Sequence, residues 1–145
     1  MNDQGNRLRL VFHGAVVLLA GLLCGYPTVV ESLGGDESVR LWHTAHEALI
    51  MMGVWILAMS SVLPTLVLPR RETTALVWSL LAMGYGFMLA LVIGGVTGTT
   101  SFSPGHSVVS WIAFTGSAVG ILGALLATGL TLAGARAARK ALPKD

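Results

Sequence analysis

Apolar residues along this chain gather into four long runs, Leu8 to Val30, Ala48 to Leu68, Thr74 to Val96 and Val108 to Gly134, separated by short polar stretches. Each run reaches the ~20 residues that a helix needs to cross a hydrocarbon core about 30 Å thick. The pattern predicts an all-α protein, a bundle of four transmembrane helices in a single membrane domain, with spans at roughly 8–30, 38–68, 74–96 and 107–134. The second helix is expected to begin near Asp36, a helix-capping residue after Gly34-Gly35, and to continue to Leu68. A helix of that length, about 45 Å, outruns the membrane, so its first turns stand in the outer interface. The first run follows Asn6-Arg7-Leu8-Arg9 as a signal peptide would, but its apolar stretch is longer than a usual signal core and is expected to be retained.

Composition agrees with that pattern. Of 145 residues, 54% are hydrophobic and 11% charged, and mean hydropathy is +0.75, too few charges to solvate a globular surface. The single cysteine, Cys24, rules out an intrachain disulfide. The formal charge of +2 is small, and no nucleic-acid-binding motif is present. Orientation follows from the cations. Arg7, Arg9, Arg70, Arg71, Arg136, Arg139, Lys140 and Lys144 fall on one side of a four-span arrangement, whereas Arg40 is the cation in the connections on the other. Both termini are therefore expected to be cytoplasmic, with a bacterial inner (cytoplasmic) membrane as the setting. The outer connection "TGTTSFSPGHS" is a turn cluster broken most sharply at Pro104-Gly105.

Small residues recur at helical spacing. Ala113, Gly116, Gly120, Ala124 and Ala127 form a stripe on the fourth span that contains a GxxxG, and Gly21 to Gly25 is a second GxxxG on the first. Such stripes let another backbone approach closely, and packing within the bundle or between subunits is the expected use; shaping a cavity for something flat is the alternative.

Polar groups at membrane depth cost free energy and call for a partner or a task. Of four histidines, His13 lies four residues past Arg9 toward the cytoplasmic face, while His43, His46 and His106 belong to the outer half. His13 should therefore not share a metal with the others, and is expected to hydrogen-bond across to another helix. His46, Ile50, Gly53 and Leu57 follow at four- and three-residue steps on one helix face, where Gly53 would leave room for a planar macrocycle below His46. His43 and Glu47, one turn apart on a neighbouring face, are placed to pair or to support a ligand, and Arg40 to meet a propionate. Trp42 and His43 also suit interfacial anchoring. The triplet His43, His46 and Glu47 has zinc-compatible spacing, but there is no HExxH and no further carboxylate cluster. No serine or cysteine nucleophile has a recognisable frame.

Taken in order, His13-Gly14, "WHTAH" at 42–46, Met51-Met52, Leu63-Pro64-Thr65 and Phe102-Ser-Pro-Gly105 resemble the styrene oxide isomerase family over most of the chain, from about His13 to Ala127. The resemblance implies a homotrimer with cytoplasmic termini that binds ferric heme b through one histidine, here His46, at the start of the second span. It also implies a lipid-embedded enzyme whose iron acts as a Lewis acid on an aryl epoxide, opening it to an aldehyde by a 1,2-shift. The family places an asparagine one to two turns after the heme histidine and a tyrosine in the third span. This chain has Met52 and an apolar stretch near Leu91 at those places, and Tyr85 is the phenol within the span. Tyr85 is thus the candidate catalytic residue, Arg40, His43 and Gly53 accompany His46 around the cofactor, and Met51, Met52, Trp55 and Phe87 are the expected substrate pocket. The alternative function is that of a b-type heme electron-transfer or heme-binding membrane protein, in which His106 would be a second axial ligand.

Overall fold

The computed structural model describes residues 3–30, 36–98 and 107–142, and all of its regular structure is helical. Four helices follow in order: α1 (Asp3–Val30), α2 (Asp36–Val62), α3 (Arg70–Thr97) and α4 (Val108–Ala141), with a 3-10 turn at Leu63–Thr65 between α2 and α3. All four are long and apolar enough to cross a membrane.

Helix ends depart from the expected spans for local reasons. The second helix stops at Val62, six residues short of Leu68, because Pro64 lacks an N–H and cannot sit in a helix interior. The chain tightens into the 3-10 turn there, with Leu66 N–H donating to Leu63 O at 3.3 Å. α3 then begins at Arg70 with extended Pro69 before it, ahead of the expected Thr74. It ends at Gly98, whose φ of 66° is the left-handed conformation that terminates helices. α4 starts behind Ser107, whose side chain accepts from Ser110 N–H at 3.1 Å. It passes the expected limit at Gly134 because the helix outlasts its apolar part, and its last turn carries Arg139 and Lys140, which suit a helix C-terminus.

Successive helices are antiparallel, and two tight pairs build the bundle. α1 packs along α2, and α3 along α4, while α2 and α3 join the pairs. Glycines set both seams. On α1, a Cβ at Gly14 would meet Leu57, and one at Gly21 would lie 2.8 Å from Ile50 N. On α4, a Cβ at Gly123 would lie 2.7 Å from Met83 N, and one at Gly120 2.7 Å from the Phe87 ring. Both GxxxG stretches therefore serve helix contact inside one chain, as close backbone approach requires. The core between the pairs holds Leu10, Val17, Leu49, Ile56, Leu76, Leu80 and Met83, all buried.

Candidate functional site

His46 lies in the α1–α2 seam. Its Nδ1 is 2.8 Å from the carbonyl oxygen of Gly21. A carbonyl only accepts, so Nδ1 carries the proton in this contact, and in the neutral tautomer that makes it the lone pair is on Nε2. The ring lies over Gly25, where a Cβ would come within 2.7 Å of Nδ1. The second glycine of the α1 GxxxG thus gives the imidazole its place, and the first supplies the carbonyl that orients it. This is the arrangement by which a helix carbonyl fixes the tautomer of a metal-binding histidine.

The expected face of α2 is real, but its partner is α1. Ile50 meets Gly21 and Leu57 meets Gly14, while a Cβ on Gly53 would lie 2.6 Å from Leu18 N. The space below His46 that Gly53 was expected to leave for a macrocycle is filled by Leu18. Gly53 serves the helix crossing.

Around the mouth of α2 the side chains diverge. His43 Nδ1 and Glu47 Oε1 stand 3.6 Å apart with exposed side chains, while His46 turns inward to α1. The triplet offers no common metal position, and no group of three His, Cys, Asp or Glu converges among the described residues. Arg40 is exposed, and its carbonyl accepts from Thr44 Oγ1 at 2.9 Å. Trp42 packs inward instead of anchoring at the interface, its ring 2.8 Å from where a Cβ on Gly95 would stand. His106 lies outside the described residues.

The expected substrate residues do not share one cavity of those seen within a chain. Met51 and Trp55, four apart, point outward and are exposed, whereas Met52, rotated about 100° from Met51, packs against the core. Phe87 lies on Gly120 in the α3–α4 seam. Tyr85 faces another way again: its hydroxyl is 2.7 Å from Nδ1 of His13. His13, expected to bond across to another helix, does so on α3. Since His13 precedes Gly21 and Gly25 by 8 and 12 residues, the Tyr85–His13 pair lies about 12–18 Å from the His46 level along α1.

Tyr85 borders two cavities. One, of about 470 Å³, lies between α3 and α4 and is lined by Leu89, Trp111, Ile112, Thr115 and Val119 among others. The other, of about 490 Å³, is bounded by Arg9, His13, Trp78, Leu81 and Ala82. The Arg9 guanidinium stands over the Trp78 ring at 5.6 Å, a cation–π contact. Sequence reasoning passed over Arg9 and Trp78. Their signal was present in the spacings Arg9/His13 and Trp78/Tyr85, each sharing a helix face, but the facing of α1 on α3 is not written in either helix alone.

These features define a four-helix membrane protein with one histidine held by a backbone carbonyl at a helix seam. The chain belongs to the styrene oxide isomerase family: the family model, described as styrene oxide isomerase, matches residues 6–136, a stretch that contains His13, His46 and Tyr85. Searches of curated proteins and of solved structures return no match.

Proposed function

We propose that the protein is a heme b-dependent epoxide isomerase of the membrane, converting an aryl epoxide of the styrene oxide kind to the aldehyde. The observation that carries the reading is the state of His46, whose Nδ1–H is committed to Gly21 O and whose Nε2 is left as a donor. Family membership supports the reading, in which His46 is the histidine that would hold heme. The donor chemistry fits: an imidazole oriented through Nδ1–H by a backbone carbonyl, with Gly25 leaving room beside the ring, offers Nε2 to iron in its neutral form. Ferric heme, when bound, supplies Lewis acidity toward the epoxide oxygen without redox turnover.

The chain's own residues hold the group. His46 binds, and Gly21 O keeps its ring from turning. Arg40, six residues or about 9 Å before His46 near the start of α2, would supply a cation for a propionate. Met51 and Trp55 face outward on the side of α2 turned away from the His46 ring and take no part in holding the group within one chain. Tyr85, held by His13 away from the His46 level, contributes to this chain as a cavity wall. The reading includes a homotrimer with both termini cytoplasmic, supported by family membership and by the cations at the end of the antiparallel bundle that carries Arg7, Arg70 and Arg139.

An absorption spectrum of protein purified in detergent tests the proposal. A ferric, five-coordinate heme signature, lost in His46→Ala, is expected. A heme-free protein, or full heme occupancy in His46→Ala, would refute it; a six-coordinate low-spin spectrum would favour electron transfer.

A further inference from the structure

Arg9 lies outside the seam that holds His46, five residues into the apolar span Gln4–Val29 of α1. That is about 8 Å along a helix whose ~39 Å length, centred on a ~30 Å core, overhangs it by about 4–5 Å at each end. Arg9 is therefore a cation just inside hydrocarbon, where a charge calls for a partner. The side chain is half-buried and its guanidinium stands over the Trp78 ring, and no carboxylate among the described residues pairs with it. A ring face meets the charge but does not satisfy the guanidinium's fork of N–H donors.

The cavity of about 490 Å³ that Arg9 borders deepens from there. α1 and α3 run in the same direction, and Trp78 and Tyr85 stand two turns apart on α3, about 10 Å along its axis. Tyr85, fifteen residues into the span Arg70–Thr97, is at mid-membrane depth. Its hydroxyl lies 2.7 Å from His13 Nδ1 and its ring meets the His13 ring edge to face, centroids 5.6 Å apart. The phenol is thereby held in place as the inner wall, and Leu81 and Ala82 line the space between the two aromatic residues.

Three features of this space restrict what fills it. The cation at the shallow end selects an anion, and a planar donor fork suits a carboxylate. The rings of Trp78 and Tyr85 at either end favour a flat aromatic body over a flexible chain. The distance of two helical turns between them makes the occupant a small molecule with its charge toward the helix start and its ring deeper.

We propose that Arg9, Trp78 and Tyr85 form a binding site for a small aromatic carboxylate, separate from the His46 seam and independent of heme. The carboxylate, ionised at neutral pH, pairs with the Arg9 guanidinium through two parallel hydrogen bonds. The aryl ring lies against Trp78 and Tyr85 in edge or offset contacts, over Leu81 and Ala82.

Calorimetric titration of the purified, full-length protein in a maltoside detergent, with hydrocinnamate, hydrocinnamyl alcohol and cyclohexanepropanoate as separate ligands, tests the site. The expected result is one saturable hydrocinnamate site per chain, with the alcohol at least about tenfold weaker for want of the charge. Cyclohexanepropanoate should bind about 2- to 10-fold more weakly for want of the aromatic contacts. Its saturated ring is the more apolar, so simple partition into the micelle would give the opposite order. Arg9→Gln should weaken hydrocinnamate about tenfold or more and Arg9→Lys less, Trp78→Leu should reduce the preference for the aromatic ring, and Arg136→Gln should change nothing. No saturable hydrocinnamate binding, or equal binding of the alcohol or of the saturated analogue, would overturn the proposal in the wild type alone, as would unchanged affinity in a folded Arg9→Gln.

Discussion

His46 owes its state to two residues that are not histidines. Gly21 offers its carbonyl at 2.8 Å, and Gly25 offers the absence of a Cβ. Gly25→Ala would press a methyl group to within 2.7 Å of a rigid ring that has no flexible end to yield. We expect this variant to fold and to lose heme affinity about 10- to 100-fold, the usual range for disturbing the support of a metal ligand. Gly129→Ala, where nothing lies within 4 Å, should leave affinity unchanged; heme titration of the two apoproteins checks both. His43→Ala should have little effect, because His43 is exposed and points away from the seam. The residue that matters was legible as "WHTAH" and its spacing. Its orientation was not, because the carbonyl that fixes it is 25 positions away.

At the scale of elements, two glycine seams decide the packing. On α4, a Cβ at Gly123 would lie 2.7 Å from both Met83 N and Ser79 O, both backbone atoms that cannot swing aside. Gly123→Leu should separate α3 from α4 and cost at least about 1–3 kcal/mol, the scale of overpacking. Ser117, six residues before Gly123 on α4, is 2% exposed and its Oγ has no hydrogen-bond partner among the described residues. Ser117→Ala should therefore be neutral or stabilising by up to about 1 kcal/mol, since a buried hydroxyl without a partner forfeits its hydration. Thermal unfolding in detergent distinguishes the two directions. The small-residue stripes announced close helix contact, but they did not say which helix. Gly53 looked like open space below a ligand and instead meets Leu18. Met51, Met52 and Trp55 looked like one pocket because they are close in sequence, whereas the helical turn sends Met52 inward and the other two outward.

For the molecule as a whole, number and type of elements were the most legible features, because a run long enough to span a bilayer leaves little else for a chain to do. The helix ends were less so. Hydropathy marks the part within hydrocarbon, while Pro64 and the charged continuation past Gly134 set where the helices stop. The proposed topology, argued from the cation distribution, has the C-terminus in the cytoplasm. A reporter active only in the cytoplasm, fused after Asp145, should be active; activity only from a reporter of the opposite compartment would reverse the topology. It would also move His46 to the cytoplasmic half and Arg9 to the outer leaflet.

Chemistry is the claim on which the functional reading stands. The most direct measurement is aldehyde formation when oxidised, heme-loaded protein is incubated with styrene oxide, with and without dithionite. The expected result is aldehyde from the ferric protein without added cofactor, strongly suppressed on reduction because ferrous iron is the weaker Lewis acid. No aldehyde from styrene oxide or from other terminal aryl epoxides, or equal turnover in the reduced state, would contradict the reading and leave a family member that shares the fold without the reaction.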